Sequence, residues 1–244
     1  MLGLGIKRKL KIFVKVNWIK TLYFNFKMFP FNIAKKLPVF FYGSVKFSNL
    51  SGEVIIDAPV RLGMFGFGQQ FEVFTRSKKT SEINLSGILK IKGNVHIGKD
   101  CFLYIAKEAY CEFGHMTCLG YNVKILCTDK IILGKWARVA YESQISDSNF
   151  HDTYNTLTKE RYSKSGSIVI GNYNWVANRS TIMKSTVTPD YCIIASNSLL
   201  SKDYSKLGNY ILIGGVPAKL IKEHVSRDWE GEKATLEKNL IIRI

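Results

Sequence analysis

Histidines and cysteines are the side chains of this 244-residue chain that could act as bases, metal ligands or nucleophiles near neutral pH. The histidines are His96, His115, His151 and His224. His151 differs from the others because it ends the segment DSNFH and begins a polar stretch, residues 151–166, in which an otherwise regular pattern stops. A loop that leaves a rigid scaffold often carries function, so we look for chemistry in this stretch.

The elements that must position this stretch are set by a repeat of six residues between Ser167 and Asp203. An aliphatic residue, or one close to it, returns at Ile170, Val176, Ile182, Thr188, Ile194 and Leu200. A helix repeats about every 3.6 residues and a half-buried strand every two, so neither explains this period. A triangular solenoid does, if each six is a short strand plus a corner and three of them make one coil. We therefore expect residues 18 apart to stack, for example Val176 over Ile194.

The same pattern extends towards the N-terminus with interruptions. It runs through Ile91, Ile97 and Leu103, then Phe113, Leu119 and Ile125, then Leu133, Val139 and Ile145. Residues 43–92 are less regular, and residues 63–84 form a longer excursion. Solenoids tolerate insertions at corners. The sequence therefore predicts one solenoid domain, residues 43–213, with a loop at 151–166.

The segment IGNYNWVANRSTIMKSTVTPDYCIIASN is followed by SLLSKD and then by GGVPAK. This combination resembles the hexapeptide-repeat acyltransferase family, of the sugar or polysaccharide O-acetyltransferase type. The resemblance implies a mainly β protein, a left-handed parallel β-helix with helical segments at both ends. It also implies a homotrimer with three sites between subunits and acetyl-CoA as the acyl donor, with no metal.

The DSNFH segment resembles the family's Asp-x-Asp-Phe-His element, whose histidine is a general base. The resemblance implies that His151 removes the acceptor's proton in a direct transfer. Asn149 stands where the second acid is usual, which leaves Asp147 or a backbone carbonyl to orient the imidazole. The implied catalytic set is His151, Asp147 and Asn149.

The family also implies where the two substrates bind. The coenzyme arm would lie along the later coils, against small residues and near a cation that could meet a phosphate. The implied coenzyme residues are Trp175, Ala177, Ala195, Ser196 and Lys219. The implied acceptor contacts are Asn149, Tyr154 and Trp175.

The formal net charge of +16 is concentrated at the N-terminus, where ten Lys or Arg residues precede the first acidic residue, Glu53. Residues 1–42 mix these charges with aromatic residues, and Ile6, Leu10 and Phe13 share one side at helical spacing. Lysines interrupt every apolar run and no cleavage site follows, so we expect neither a membrane-spanning helix nor a signal peptide. Two interpretations stay open: a helix that lies on the inner membrane leaflet of a cytoplasmic protein, or a cap or oligomer contact of the solenoid.

The C-terminal segment, residues 214–244, is predicted to be a turn and a helical tail. Gly214 and Gly215 favour the turn, Pro217 is expected to start a helix, and both KLIKEHV and ATLEKNLII look helical. The cysteines are Cys101, Cys111, Cys118, Cys127 and Cys192. No two have CxxC spacing, so we expect reduced core thiols.

Other functions remain open at this point. The same donor and base would serve an N-acetyltransferase acting on an amino sugar, or an antibiotic acetyltransferase. A γ-class carbonic anhydrase shares the β-helix but needs three histidines for zinc; His115 and His151 lie 36 residues apart, and Asn155 and Thr156 occupy the region of a third ligand. A non-catalytic trimeric scaffold is a further alternative. The positive charge alone does not predict nucleic-acid binding, because no recognition motif accompanies it.

Overall fold

The computed structural model describes residues 13–70 and 79–241. Most of its strands belong to three parallel sheets that form the faces of a triangular β-helix. The first sheet contains, in spatial order, β1 (Val39–Phe41), β4 (Phe65–Gln69), β7 (Val95–Gly98), β10 (Thr117–Leu119), β13 (Arg138–Val139), β18 (Trp175–Val176), β20 (Cys192–Ile194), β22 (Ile211–Gly215) and β23 (Ala218–Lys222).

The second sheet contains β2 (Val45–Leu50), β5 (Ser81–Leu85), β8 (Phe102–Ile105), β11 (Lys124–Cys127), β14 (Gln144–Ser146), β19 (Thr181–Met183) and β21 (Leu199–Leu200). The third sheet contains β3 (Glu53–Ile56), β6 (Ile88–Ile91), β9 (Tyr110–Phe113), β12 (Lys130–Leu133) and β17 (Ile168–Ile170). Each coil passes from the third sheet to the first and then to the second, so the predicted solenoid is confirmed.

The repeat positions form the core. Val176 lies beside Ile194 and Ile182 beside Leu200 in the parallel registers. These four side chains, like most others at the repeat positions, are fully buried. The six-residue spacing therefore reports directly which side chains point into the solenoid.

The turn between the third and first sheets explains the glycines that follow the inward residues. A Cβ atom on Gly134 would lie 2.7 Å from the backbone nitrogen of Asn172, and one on Gly171 would lie 2.4 Å from the carbonyl oxygen of Pro189. Real Cβ atoms do not approach backbone so closely, so the stacked coils leave no room for a side chain there.

The prediction of an excursion at residues 63–84 is only partly correct. Within it, β4 pairs with β1 and β7, and β5 pairs with β2 and β8, so both strands belong to regular coils. Residues 71–78, between them, lie outside the described residues. The alternation of aromatic residues and glycines in FGFG hides the hexapeptide pattern in the sequence of β4.

Helix α1 (Trp18–Met28) and the short α2 (Phe31–Ala34) lie at the first coil. The buried side of α1 combines Phe24 with two polar residues, Thr21 and Asn25. Asn25 accepts a hydrogen bond from the Val39 amide at 3.1 Å and donates one to the Val39 carbonyl at 2.7 Å. The Thr21 hydroxyl accepts from the Phe41 amide at 3.0 Å. Helix α1 thus supplies the partners that the exposed edge of β1 would otherwise lack. The predicted apolar positions Ile6 and Leu10 lie outside the described residues.

The prediction of a helix in KLIKEHV is wrong. Most of this segment is β23, which runs antiparallel to β22 with Gly215 opposite Ala218. Pro217 lies in the turn of this hairpin and does not start a helix. Because β22 has no following coil to pair with, its edge hydrogen bonds favour a returning strand over a locally weak helical pattern. The helical tail is α3 (Trp229–Leu240), capped by the Asp228 carboxylate, which accepts from the Gly231 amide at 2.9 Å.

We expect Asn25→Leu to lower the free energy of unfolding by about 2–4 kcal/mol, because it leaves the buried amide and carbonyl of Val39 without partners. Chemical denaturation of the purified protein measures the loss. Asn32→Leu, at an exposed position of α2, is the control and should change stability little. Equal midpoints for the two variants would show that α1 does not close the sheet edge.

Candidate active site

The loop at 151–166 leaves from the corner between the second and third sheets, and Asp147 fixes its base. Asp147 is fully buried. One carboxylate oxygen accepts from the amide and the hydroxyl of Thr128, both at 2.8 Å, and the other accepts from the Asp129 amide at 2.8 Å. The Gly166 amide donates to the Asp147 carbonyl at 2.9 Å, which closes the loop where it rejoins the coil. Asp147 therefore connects the loop to the preceding coil.

Above this base the loop is a short antiparallel hairpin, β15 (Thr153–Tyr154) with β16 (Arg161–Tyr162). Asn149, His151 and Tyr154 are all exposed on this excursion. The Asn149 amide donates to the Lys164 carbonyl at 3.0 Å, which holds the two sides of the loop together just before His151. The structure thus brings three sequence-predicted residues into one exposed segment.

The group that orients His151 was left open between Asp147 and a backbone carbonyl. Both carboxylate oxygens of Asp147 are engaged by Thr128 and Asp129. In residues 13–70 and 79–241, neither a side chain nor a backbone group is hydrogen-bonded to the imidazole. Asp147 acts on the backbone that carries His151 and not on its ring.

The predicted coenzyme residues lie at a different corner, between the first and second sheets. Ala177 and Ala195 stack there, since the Ala177 amide donates to the Ile194 carbonyl at 2.9 Å. Ser196 follows at the surface and donates to the Asn178 side chain at 2.8 Å. Lys219 is exposed on β23, beyond the last parallel coil. Trp175 points outward from β18, as predicted, and is partly exposed.

The histidine loop and the coenzyme corner do not meet within the chain. The loop follows β14 of the second sheet, whereas Trp175 lies on the outer surface of the first sheet. In the part of the chain that the structure describes, no hydrogen bond or ring contact joins His151 to Trp175, Ala177 or Lys219.

One residue of the outer surface was missed by the sequence analysis. Arg138 occupies the position before an inward valine, as Trp175 does, and the two residues are direct neighbours in the register of β13 and β18. Both line a cleft of about 390 Å³ beneath α3. The shared repeat position was the available clue, but a single arginine among many basic residues gave no reason to select it.

Two of the other histidines, His96 and His115, have structural partners. His96 is buried, its Nδ1 lies 3.0 Å from the Gln69 side-chain oxygen, and burial with the charge of Arg138 lowers the pKa of His96 to about 3. The His115 Nδ1 accepts from the Asn94 amide at 3.2 Å, and partial burial lowers the pKa of His115. Among the described residues, no group of three or more His, Cys, Asp or Glu side chains is arranged to hold a metal ion.

Four of the cysteines lie in the core of the solenoid, whereas Cys118 lies on the outer surface of the first sheet, in the cleft beneath α3. All five are free and buried, as the sequence predicts. Burial raises the pKa of Cys192 to about 12, so its thiol stays protonated near neutral pH. A buried neutral thiol is a poor nucleophile, which is consistent with a reaction that does not pass through an acyl-cysteine.

We expect Asp147→Asn to lower the free energy of unfolding by about 1–3 kcal/mol, because an amide group would face one of the three buried donors now bound by the carboxylate. The loop should also open more often. Limited trypsin digestion, with cleavage sites at Lys159, Arg161 and Lys164, measures this opening. Asp152→Asn removes only an exposed ion pair with Lys164 and serves as the control. Equal cleavage rates in the two variants would contradict the role given to Asp147.

No protein-family model matches the chain. Over 67 residues it is 36% identical to a chloramphenicol acetyltransferase of Morganella morganii, covering 28% of this chain and 30% of that protein. Over 64 residues it is 34% identical to the enzyme of the same name from Klebsiella aerogenes, covering 26% and 29%. The matches thus span less than a third of these relatives.

Solved structures match a larger part of the chain. The polySia-specific acetyltransferase NeuO has a TM-score of 0.57 at 21% identity, with 75% of this chain and 71% of that chain covered. The polysialic acid O-acetyltransferase OatWY has a TM-score of 0.43 at 18% identity, covering 75% and 90%. The predicted resemblance is confirmed at the level of the fold: the chain is a left-handed parallel β-helix of the hexapeptide-repeat type, the scaffold on which such acetyltransferases are built.

Proposed function

We propose that the protein transfers an acetyl group from acetyl-CoA to a hydroxyl of a sugar. The observation that carries this proposal is the exposed His151, presented on a hairpin whose base Asp147 fixes to a β-helix. The fold is shared with the acetyltransferase NeuO, and the local sequence similarity is to chloramphenicol acetyltransferases. Both of these proteins are named as acetyltransferases.

In the proposed reaction, the neutral imidazole of His151 takes the proton of the acceptor hydroxyl as its oxygen attacks the thioester carbonyl. The new carbon–oxygen bond forms, the carbon–sulfur bond breaks, and the leaving thiolate receives the proton from the imidazolium. A base of this kind contributes roughly 10²–10⁴-fold to the rate. No acyl-enzyme is needed.

Asp147 is a positioning residue in this scheme, because its buried carboxylate fixes the loop backbone and does not reach the imidazole. Asn149 and Tyr154 flank His151 on the exposed excursion and are proposed to contact the acceptor. The ring of Tyr154 also lies 5.8 Å from the Lys159 ammonium, which holds one side of the hairpin tip near the aromatic face.

The coenzyme is proposed to lie along the corner formed by Ala177 and Ala195, with Ser196 and Trp175 beside it and Lys219 near a phosphate. Small side chains at this corner allow the pantetheine arm to approach the backbone. Because His151 lies at another corner of the same chain, donor and base meet only if two chains pack side by side. We therefore propose a homotrimer with three sites, each between two subunits.

We propose that the acceptor belongs to a surface polysaccharide, such as a capsule or an O-antigen, or to its lipid-linked precursor. NeuO, which shares the fold, is named for its action on polySia. An amino group could take the place of the hydroxyl with the same base and donor. An acceptor panel that contains sugars, amino sugars and chloramphenicol distinguishes these substrates.

The outer side of α1 supports a location at the inner face of the membrane. Apart from Lys27, its exposed residues are apolar, whereas its polar Thr21 and Asn25 point inward to the sheet edge. The exposed apolar residues of this surface, which we call the α1 face, are Val14, Trp18, Ile19, Leu22, Tyr23, Phe26 and Phe31. This arrangement is the reverse of a helix that faces water. In the part of the chain that the structure describes, no helix is long and apolar enough to cross a membrane.

The charges around the α1 face fit an anionic bilayer. Lys15, Lys27, Lys35 and Lys36 are exposed on or beside it, and the sequence has no acidic residue before Glu53. Apolar side chains at the headgroup level and lysines near anionic lipid both favour binding, with each lysine contributing about 1 kcal/mol. An acceptor attached to a membrane lipid would then be delivered close to the enzyme.

His151→Ala should lower kcat for acetyl transfer by about 10²–10⁴-fold and leave acetyl-CoA binding unchanged, because the base acts only on the acceptor proton. Lys219→Ala should weaken acetyl-CoA binding. Calorimetric titration and a thiol-release assay with the acceptor panel measure the two effects. His224→Asn is the control, since His224 is exposed and has a positive φ that asparagine tolerates. If wild-type protein binds no acetyl-CoA at millimolar concentration, the proposed activity is wrong.

Replacing Ile19, Leu22 and Phe26 together by Gln should abolish flotation of the full chain with vesicles that contain anionic lipid. Neutral vesicles should bind the wild-type protein weakly, because they lack the electrostatic attraction. A control variant with Gln at the exposed Leu157, Leu207 and Ile221 should float like wild type. Sedimentation velocity without lipid tests the alternative that the α1 face binds another chain. Loss of an oligomer in the triple Gln variant, with flotation unaffected, would show that it does.

A further inference from the structure

The cleft beneath α3 has not been assigned a role. It lies between the outer surface of the first sheet and one side of α3, and its volume is about 390 Å³, within the range of small-ligand sites. The residues that line it are Cys118, Gly120, Arg138, Val139, Ala140, Trp175, Arg227, Leu236, Asn239 and Leu240. Gly120 and Ala140 leave space at the floor, while the leucines form the α3 wall.

Packing of aromatic rings fixes the position of that wall. Trp229, the first residue of α3, packs edge-on against Trp136 at 6.4 Å and against Tyr173 at 5.7 Å between ring centroids. Tyr173 in turn stacks on Tyr191 at 4.8 Å. These contacts place α3 above the sheet at a set distance, so the cleft is a built feature of the fold and not a surface crevice.

Arg138 is the unusual residue of this cleft. Its side chain is only 8% exposed, yet its Nε and Nη2 groups have no hydrogen-bond partner in the described part of the chain. Its guanidinium carbon lies 5.9 Å from the centre of the Trp136 ring, which contributes a cation–π contact but accepts no strong hydrogen bond. A guanidinium stays charged at any physiological pH, so burial without an anion is costly.

The cleft offers Arg138 no anion of its own. None of the lining residues carries a carboxylate. The second guanidinium, that of Arg227, is already paired with Glu232 and lies over the rings of Trp175 and Trp229. The free donors of Arg138 therefore require a partner from outside the described chain. An oxyanion that presents two oxygens side by side, as a carboxylate or a phosphate does, can accept two parallel hydrogen bonds from a guanidinium and has the matching geometry.

We propose that this cleft is a binding site for an oxyanion, held by the guanidinium of Arg138 and covered by α3. Two ligands could carry such a group, the carboxylate of an acidic sugar acceptor or a phosphate of the coenzyme. Trp175 lies in the same cleft and in the proposed donor site, so in either case the cleft adjoins the proposed reaction centre. The identification of the ligand as the acceptor or the coenzyme rests on the proposed function, whereas the anion site itself does not.

The test measures binding directly and does not depend on turnover. Wild type, Arg138→Gln and Arg138→Lys are titrated with inorganic phosphate, with coenzyme A and its 3′-dephospho form, and with glucuronic acid and N-acetylneuraminic acid, each against its methyl ester. Arg61→Gln, at an exposed arginine that does not line the cleft, is the matched control. Circular dichroism and melting curves establish that each variant is folded.

We expect Arg138→Gln to weaken one ligand by about 10- to 100-fold, the loss expected for charge-assisted hydrogen bonds, and Arg138→Lys to restore part of it. Loss for the acids but not for their esters identifies the acceptor carboxylate. Loss for coenzyme A identifies a phosphate, and a smaller loss for the dephospho form assigns it to the 3′ position.

Affinities that are the same in wild type, Arg138→Gln and Arg61→Gln for every probe would overturn the proposal. The result is separable from the proposed function. Absence of acetyl transfer by wild type, together with binding that depends on Arg138, would reject the enzyme assignment and retain the anion site. Acetyl transfer by Arg138→Gln with unchanged KM for both substrates would retain the enzyme assignment and reject the anion site.

Discussion

Every coil of this protein has to stack on the next at the distance between hydrogen-bonded strands, about 4.8 Å, and the other features depend on that constraint. It leaves no room for a Cβ atom at Gly134 or Gly171, where the backbone of the following coil passes within 3 Å. It also places the repeat positions, such as Val176 and Ile194, in the core. An insertion is tolerated only if it leaves and rejoins the stack without changing the register, and the direct pairing of Leu133 with Ile170 shows that the histidine loop does so.

The ends of such a stack are exposed strand edges, and the two ends are closed in different ways. At the first coil, α1 turns polar Thr21 and Asn25 inward to bind the edge of β1, and most of its apolar side chains lie outside. At the last coil, β23 folds back on β22 as an antiparallel strand. The requirement to satisfy backbone groups thus explains both the reversed polarity of α1 and the strand that replaces an expected helix.

The candidate site uses the rigidity of this stack. The buried carboxylate of Asp147 accepts hydrogen bonds from the amides of Thr128 and Asp129, so the chain leaves the coil towards His151 from a fixed point. On the outer surface of the first sheet, Trp175 and Arg138 are neighbours because adjacent coils place equivalent residues side by side. The two groups of residues lie at different corners of the same chain.

The sequence by itself determined the fold, because a period of six over five steps is compatible with a triangular solenoid and with neither a helix nor a flat sheet. It also identified the outward Trp175 and the inward Cys101 and Cys192, since these follow from the position within each repeat. Only the tertiary structure decided what lies beside these residues. The partners of Asp147 come from the preceding coil, the strand β23 is determined by an edge that no local pattern reveals, and the free charge of Arg138 arises only when α3 covers it. These are contacts between segments distant in sequence, and the repeat period carries no information about them.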